Sequence, residues 1–426
     1  MNIMVLGSGG REHTLVWKIS QSPKAEKIYA VPGNPGMKKY AECVAGVDIE
    51  DNDAIVKLAQ EKNIDLVVVG PEVPLVNGVV DALTAAGIKA FGPSKDAAML
   101  EGSKVYSKVI MRRYGIPTAK SETFNNIGRA HVYVRQMRQP FAIKADGLAA
   151  GKGVILTKTV DEAIDAIDTI MQDKAFGDAG KSIVIEEFME GEEASVLCFT
   201  DGETIVPMVS SQDHKRVNDG DEGLNTGGMG AYAPAPVMTP EMMERVKKEI
   251  LVPVIEGMKK EGHPYKGCLY AGLMITAKGP KVVEFNARFG DPETQVVLPL
   301  LKSDIVDIML ACIDGTLSEQ KIEWSDGAAA CVIMASGGYP EHYEKGKEIT
   351  GIEDAEALGA LVVHAGTKED GGKLVTNGGR VLGVVAEADD IKGAIDKAYA
   401  GVKKIHFDGV HYRHDIAHRA LERLAK

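Results

Sequence analysis

The feature that most constrains this chain is the punctuation of its first hundred residues, where four short apolar runs each end at glycine or proline. Ile3–Leu6 runs into G-S-G-G, Ile28–Val31 into P-G-N-P-G, Leu66–Val69 into G-P-E and Ile88–Phe91 into G-P. L-V-V-V at Leu66–Val69 shows no polar alternation, as expected of a parallel strand covered on both faces. Asp53–Glu61 and Val73–Ala86 carry helical spacing between the runs. The alternation predicts βαβ units in a doubly wound parallel sheet, with irregular loops at the carboxyl edge, where such sheets bind ligands.

Length and charge narrow the class. The 426 residues suggest about three domains at roughly 150 residues each. A formal net charge of −12 argues against nucleic acid as partner, because that binding is driven by cationic surface. The five cysteines show no C-x-x-C or zinc spacing, which fits a reducing compartment better than a disulfide scaffold. The N-terminus lacks a basic signal-like region, and no apolar run reaches membrane-spanning length. A cytoplasmic protein without a membrane partner is expected.

The loop Gly7–His13, G-S-G-G-R-E-H, follows the first strand and opens a helix. Glycines let backbone N–H groups approach an anion, and a helix N-terminus favours negative charge. A dinucleotide fingerprint would need glycine where Glu12 stands, and the second strand ends at Val31-Pro32 without an acid for a ribose. A phosphate-bearing small molecule placed by Gly9 and Gly10 fits better than NAD. The alternative is a turn built for tight packing.

In the middle of the chain, P-F-A-I-K-A-D-G-L-A-A-G-K-G-V (Pro140–Val154) reads as strand, glycine loop, strand. It is not a P-loop, since Lys152 is followed by Gly153 and no helix begins there. A hairpin closing over phosphates is the physical alternative, with Lys144 on its strand and Lys104 on the preceding helical stretch. Either lysine alone would read as a solvated charge. Thr159 with Glu162 forms a capping box before an apolar stripe that belongs to a core. Ile183–Ile185 then runs into the acidic segment Glu186–Glu193, where adenine could slot beside the strand and a carboxylate could hold ribose hydroxyls. S-Q-D-H-K-R (Ser211–Arg216) and N-T-G-G-M-G-A-Y-A-P (Asn225–Pro234) look too polar and glycine-rich for a core and read as functional loops.

Leu273–Thr276 and Lys281–Asn286 read as a hairpin. Strict alternation puts Glu284 and Asn286 on one face, about 6.6 Å apart along the strand, with Val283 and Phe285 toward the core. Two oxygen ligands in this pattern suit a magnesium ion that also takes phosphate oxygens. A lone E-x-N would be an ordinary polar strand face. Arg288 lies just beyond, suited to a carboxylate or phosphate. From about Ser325, short strands (Ala328–Met334, Leu361–His364, Arg380–Val385) and a helix near Ile391–Val402 read as a small α/β unit closing the cleft from behind.

Together these segments resemble the ATP-grasp ligases, and within them the phosphoribosylamine–glycine ligase family. G-S-G-G-R-E-H, F-G-P-S-K-D-A-A-M-L-E-G-S-K, I-K-A-D-G-L-A-A-G-K-G-V, S-Q-D-H-K-R, N-T-G-G-M-G-A-Y and E-F-N-A-R-F-G-D-P-E-T-Q carry the resemblance in order. H-A-G-T, T-N-G-G-R-V-L-G-V and Y-R-H-D-I extend it to the tail. It implies an α/β fold: an N-terminal doubly wound parallel sheet (1–103), a central ATP-grasp domain (104–324, mobile lid about 119–190) and a small C-terminal α/β domain (325–426). With the chain ending after that tail, the enzymes fused onto some eukaryotic relatives are expected to be absent.

The resemblance also implies the chemistry. Glycine would be phosphorylated by ATP to glycyl phosphate and then captured by the amine of 5-phosphoribosylamine, a step of purine biosynthesis. Lys104 and Lys144 would contact phosphates under the Gly147–Gly153 loop, with Gly151 and Gly153 in it. Backbone groups near Glu187–Met189 would read adenine, Glu186 would belong to the same ATP site, and Glu193 would hold the ribose. Glu284 and Asn286 would bind Mg²⁺ or Mn²⁺. Gly9 and Gly10 would help place phosphoribosylamine, with Asp213, Lys215 and Arg288 at the reacting substrates and Lys144, Asp213 and Arg288 as the catalytic candidates. The partners would be these small molecules, with no obligate protein partner implied. Rival readings are another ATP-grasp enzyme such as a carboxylase, an NAD-dependent oxidoreductase and a catalytically silent nucleotide-binding regulator. The absence of a triad suits a reaction that needs positioning and charge neutralisation more than an enzymic nucleophile.

Overall fold

A computed structural model describes residues 1–426. The apolar runs form the expected parallel sheet. Its strands are β1 (Asn2–Gly7), β2 (Lys27–Pro32), β3 (Glu42–Cys43), β4 (Leu66–Val69) and β5 (Lys89–Phe91), in spatial order β3-β2-β1-β4-β5. The two-residue edge strand β3 is too short to leave a pattern in the sequence. The helical spacing of Val73–Ala86 resolves into two helices, Glu72–Val76 and Val79–Ala85. The break falls at Gly78, whose φ of +88° ends one helix and starts the next in a conformation costly to other residues.

Helix α1 (Gly10–Ile19) follows β1. Glu12, the departure from a dinucleotide fingerprint, is buried between the ends of β1 and β4. A side chain on either Gly7 or Gly70 would collide with it. Its Oε2 accepts the Gly9 N–H at 2.9 Å, while Arg11 donates to its Oε1 at 2.8 Å. The space a pyrophosphate would need is filled by the protein's own carboxylate.

The next strands are β6 (Ser121–Phe124), β7 (Phe141–Ala145), β8 (Val154–Thr157) and β9 (Ile183–Glu187), in an antiparallel sheet of order β6-β9-β7-β8. This sheet and its helices hold a core of their own, built from residues such as Val134, Phe141, Ile143, Ile167 and Ile185. The helix Val160–Ile167 starts at the expected cap, where the Thr159 hydroxyl accepts the Glu162 N–H at 3.2 Å.

The remaining strands relevant to the site are β10 (Glu192–Thr200), β11 (Ile205–Pro207), β12 (Gln212–Asp213), β13 (Arg216–Asn218), β14 (Glu222–Asn225), β15 (Gly230–Ala233), β16 (Gly267–Thr276), β17 (Gly279–Asn286), β18 (Ala328–Ala335) and β19 (Leu361–His364). One antiparallel sheet runs β11-β10-β16-β17. Another has the order β12, β15, β18, the long strand Arg380–Ala388, then β19, and the helix Ile391–Val402 packs on it. The sequence expectation of loops at Ser211–Arg216 and Asn225–Pro234 is therefore corrected in part. Ser211, Gln212, Asp213 and His214 are buried, and β15 pairs with β18. Backbone pairing to a sheet from far along the chain outweighs a side-chain pattern that carries no strand signal.

A second correction concerns β17. Gly272 pairs with Glu284, whereas Leu273 pairs with Val282, so Val283 is an extra residue in a bulge. The bulge re-aims the side chains: Val282 is fully buried in the core, while Val283 is half-buried and lines the cleft beside Glu284. Strict alternation had placed Val283 inside. Val282→Ala is accordingly expected to cost about 1–3 kcal/mol of stability by loss of buried methyl groups, and Val283→Ala less than about 1 kcal/mol. Urea unfolding of both variants checks the pair; the reverse order would mean the bulge is misplaced.

Candidate active site

The glycine hairpin between β7 and β8 is pinned at its base. Asp146 accepts from the Ser103 hydroxyl at 3.0 Å and from the Val105 N–H at 3.2 Å, both at the start of the helix Lys104–Arg113. Lys104, first in that helix, donates to the Gly147 carbonyl at 3.2 Å. Gly151 sits at φ +73°, and this left-handed turn lets the hairpin reverse within a few residues. Gly153 closes the other side, where a Cβ would lie 2.7 Å from that of Ala149.

Beneath the hairpin lies a buried charge chain. Lys144 on β7 is within 2.9 Å of Glu186 on β9 and donates to the Val283 carbonyl at 3.1 Å. The other Glu186 oxygen meets Lys108 at 3.0 Å, and all three side chains are nearly inaccessible. Lys108 also donates to the Thr118 hydroxyl at 2.8 Å. Sequence reading did not assign Lys108; its only signal was a position four residues after Lys104, on the same helical face. Glu187 accepts the Lys120 N–H at 3.1 Å, and half-buried Met189 lies in the connection from β9 to β10.

Glu193, Asp213, Lys215 and Glu284 converge on one small cavity with Ser195, Tyr270 and Val283. Lys215 pairs with Glu193 at 3.2 Å. Ser195 and Tyr270 share a hydrogen bond of 2.8 Å, and the Tyr270 hydroxyl donates to Glu293 at 2.8 Å. Asn286 reaches Glu284 at 3.5 Å, which places the two candidate metal ligands together. Burial works against ionisation of Glu284, yet Lys215, Lys144, Lys104 and Arg288 hold its carboxyl below the ordinary range. An ionised carboxylate beside an amide, ringed by cations, suits a hard divalent ion. Burial pushes the neighbouring Asp213 carboxyl up to about 7 against the pull of Lys215. Burial also lowers Lys104, with Glu284 opposing and Lys144 adding to the shift.

Arg288 is held from two sides, by Glu72 at 3.3 Å and Glu101 at 3.1 Å, and Glu101 also accepts the Ala287 N–H at 2.7 Å. Neither acid was singled out in the sequence, because the ion pairs span distant segments. A second cleft of about 480 Å³ lies over the α1 end of the parallel sheet, lined by Ser8, Gly9, Asn34, Asp291, Tyr339 and Arg380 among others. Gly9 faces it. Gly10 does not line it, and a Cβ there would lie 2.7 Å from the Gln295 amide nitrogen. The Arg11 N–H is taken by Asp291 at 3.1 Å, so the first turn of α1 is already met by two carboxylates.

Two histidines join the parallel sheet unit to β19. His13 Nδ1 accepts the His364 N–H at 2.8 Å, and the two rings lie 5.7 Å apart. Burial holds His13 well below the ordinary range and His364 at about 4. Unfolded, a histidine takes its proton near pH 6.5. Between that value and about 4 His364 therefore binds more proton in the unfolded chain than in the fold, so acidification destabilises the protein. The His364 share of the loss is complete near 4, with His13 acting in the same direction. His364→Gln is expected to remove about 3 kcal/mol of this acid sensitivity between pH 7 and 4. Unfolding free energies of both proteins at the two pH values check it; identical pH slopes would refute it.

His214, Asp221 and His418 also lie close enough to suggest a metal site. His214 Nε2 accepts the Ala417 N–H at 3.0 Å, so the neutral ring carries its proton on Nδ1 and offers no lone pair there. Arg413 and Arg419 hold Asp221 at 3.0 and 2.8 Å. The cluster is an ion-paired clasp.

Two sheets enclosing lysines, a glycine hairpin and the Glu284–Asn286 strand face define an ATP-grasp enzyme. Family models of phosphoribosylglycinamide synthetase match its N domain at residues 1–101, its ATP-grasp (A) domain at 102–294 and its C domain at 329–419. The chain belongs to the phosphoribosylglycinamide synthetase family. It is 53% identical over 423 residues to a phosphoribosylamine–glycine ligase of Mesorhizobium japonicum, covering 99% of each chain. It is 51% identical to a trifunctional purine biosynthetic protein of Gallus gallus, matching all of this chain and 43% of that one. The crystal structure of a phosphoribosylamine–glycine ligase from Thermotoga maritima superposes with a TM-score of 0.85 at 35% identity, over 98% of this chain and 100% of that one. A biotin carboxylase domain of Hydrogenobacter thermophilus, solved with MgADP and bicarbonate, shares the fold at 17% identity and a TM-score of 0.73, over 96% of this chain and 91% of that one.

Proposed function

We propose that this protein joins glycine to 5-phosphoribosylamine with ATP, releasing glycinamide ribonucleotide, ADP and phosphate in purine biosynthesis. The observation that carries the reading is Glu284, a half-buried carboxylate in the small cavity with Lys215 and Asp213, kept ionised by Lys215, Lys144, Lys104 and Arg288. Lys104 and Lys144 bind ATP phosphates, with the Gly151–Gly153 turn folding over them. Backbone groups near Glu187–Met189 read adenine, Glu186 serves the ATP site through its pairing with Lys144, and Glu193 holds the ribose. Glu284 and Asn286 hold Mg²⁺ or Mn²⁺, which supplies positive charge to the polyphosphate.

A carboxylate oxygen of glycine attacks the γ-phosphorus and ADP leaves, giving glycyl phosphate. The amine of phosphoribosylamine then attacks the acyl carbon, a proton leaves nitrogen and phosphate departs. Arg288 orients the glycine carboxylate. Asp213, at about 7 and beside Lys215, is tuned to take that proton near neutral pH. Gly9 shapes the wall for phosphoribosylamine, and Gly10 helps place it from behind, through the close packing of the first turn of α1 on Gln295. In this reading residues 1–103, 104–324 and 325–426 act as three domains, with the lid at about 119–190 closing over ATP in the cytoplasm. No helix is long and apolar enough to cross a membrane.

The test is mass detection of glycinamide ribonucleotide beside ADP. Purified protein is expected to form both only when ATP, glycine and freshly made phosphoribosylamine are present together. Bicarbonate-dependent ATP cleavage, or an NADH absorbance change without ATP, would overturn the reading.

A further inference from the structure

The Lys108–Glu186–Lys144 chain contains more charge than phosphate binding needs. Glu186 is 3% exposed, with one lysine on each oxygen: Lys108 at 3.0 Å on Oε1 and Lys144 at 2.9 Å on Oε2. The two lysines are differently tethered. Lys108 is fixed from behind by the Thr118 hydroxyl at 2.8 Å and the Ala119 carbonyl at 3.3 Å, and Thr118 is itself bound to the Val282 carbonyl at 2.6 Å. Lys144 is held only by Glu186 and by the Val283 carbonyl at 3.1 Å. That carbonyl belongs to the bulged residue of β17, adjoining Glu284.

We propose that Lys108 is a positioning residue that keeps Glu186 neutralised while Lys144 turns from it to the phosphates of ATP. The inference rests on the ATP reading above. Lys144 cannot serve a phosphate group fully while it is the sole counter-ion of a buried carboxylate, because leaving Glu186 unpaired is strongly unfavourable. Lys108 removes that conflict. It sits on the oxygen remote from Lys144, and its other partners come from Thr118 and Ala119, so it stays when Lys144 moves. Without it, Glu186 retains Lys144 and the phosphates lose a cation. The empty protein is affected less, since Glu186 keeps one partner there.

The experiment is calorimetric titration of Lys108→Met with ATP and Mg²⁺, without glycine. Affinity is expected to fall about tenfold or more, the size of a strong coupling between neighbouring groups. KM for ATP should rise in step, with kcat at saturating ATP and KM for glycine within about twofold of the parent. Lys108→Arg, which keeps the charge, should recover most of the affinity. Lys108→Gln serves in the same titration if the methionine variant does not fold. In a Glu186→Gln background, where no carboxylate needs neutralising, removing Lys108 should weaken ATP no further. Unchanged ATP affinity in Lys108→Met, or a full additional loss in the Glu186→Gln background, would overturn the proposal. Affinity is read without turnover, so the result is independent of whether the amide product is formed.

Discussion

Glu284→Ala is expected to lower the ligation rate by about two orders of magnitude or more while leaving the protein folded. The side chain lies between Lys104, Lys144, Lys215 and Arg288, which keep it ionised despite burial. Removing it deletes the one negative ligand of the proposed metal site and leaves a cluster of like charges facing the polyphosphate. Asn286→Ala takes away a neutral carbonyl only, so a smaller loss is expected, recoverable in part by raising Mg²⁺. Turnover measured against Mg²⁺ concentration for both variants, beside their melting temperatures, separates these effects. A folded Glu284→Ala protein with parental turnover and metal dependence would show that the metal binds elsewhere.

Arg413→Ala is expected to have the largest effect on stability, about 3–5 kcal/mol, without altering the chemistry in the surviving folded fraction. Arg413 is fully buried, and its guanidinium donates to Asp415 at 2.8 and 2.9 Å, to Asp221 at 3.0 Å and to the Arg216 carbonyl at 3.3 Å. It thereby ties the tail to the hairpin of β13 and β14, on which the backbone of Gly220 also donates to Asp415 at 2.9 Å. Truncation leaves a cavity and strips a cation from two carboxylates. Denaturant unfolding measures the loss. KM values for ATP and glycine should stay near those of the parent, and a stability change under about 1 kcal/mol would refute the clasp.

The motif Y-R-H-D-I, which helped identify the family, supplies Arg413 and Asp415 of this ion-paired clasp. That outcome illustrates where linear reading stops. Apolar runs ending at glycine and proline are sufficient to specify the parallel sheet, because a strand covered on both faces needs continuous hydrophobicity and a ligand-facing loop needs small residues. The hairpin over Lys144, the capped helix at Thr159 and the pairing of Glu284 with Asn286 are legible for the same reason: each depends on residues a few positions apart. Glu12 breaks the dinucleotide fingerprint in the sequence, and its carboxylate fills the first loop in the structure.

What depends on partners far along the chain was decided only in three dimensions. Ser211–His214 are buried because β12 and β15 join β18, about a hundred residues away, and nothing local marks them as core. Val283 faces the cleft because a register shift against Leu273 inserts one residue, and alternation counted along a single strand cannot detect a bulge set by its neighbour. Lys108, Glu72 and Glu101 look like solvated charges until folding brings Glu186 and Arg288 against them. The sequence by itself determined the fold class, the family and the residue types at the proposed phosphate and metal positions. The tertiary structure decided which charges are buried together, because low-dielectric pairing is a property of the packed interior that no spacing along the chain encodes.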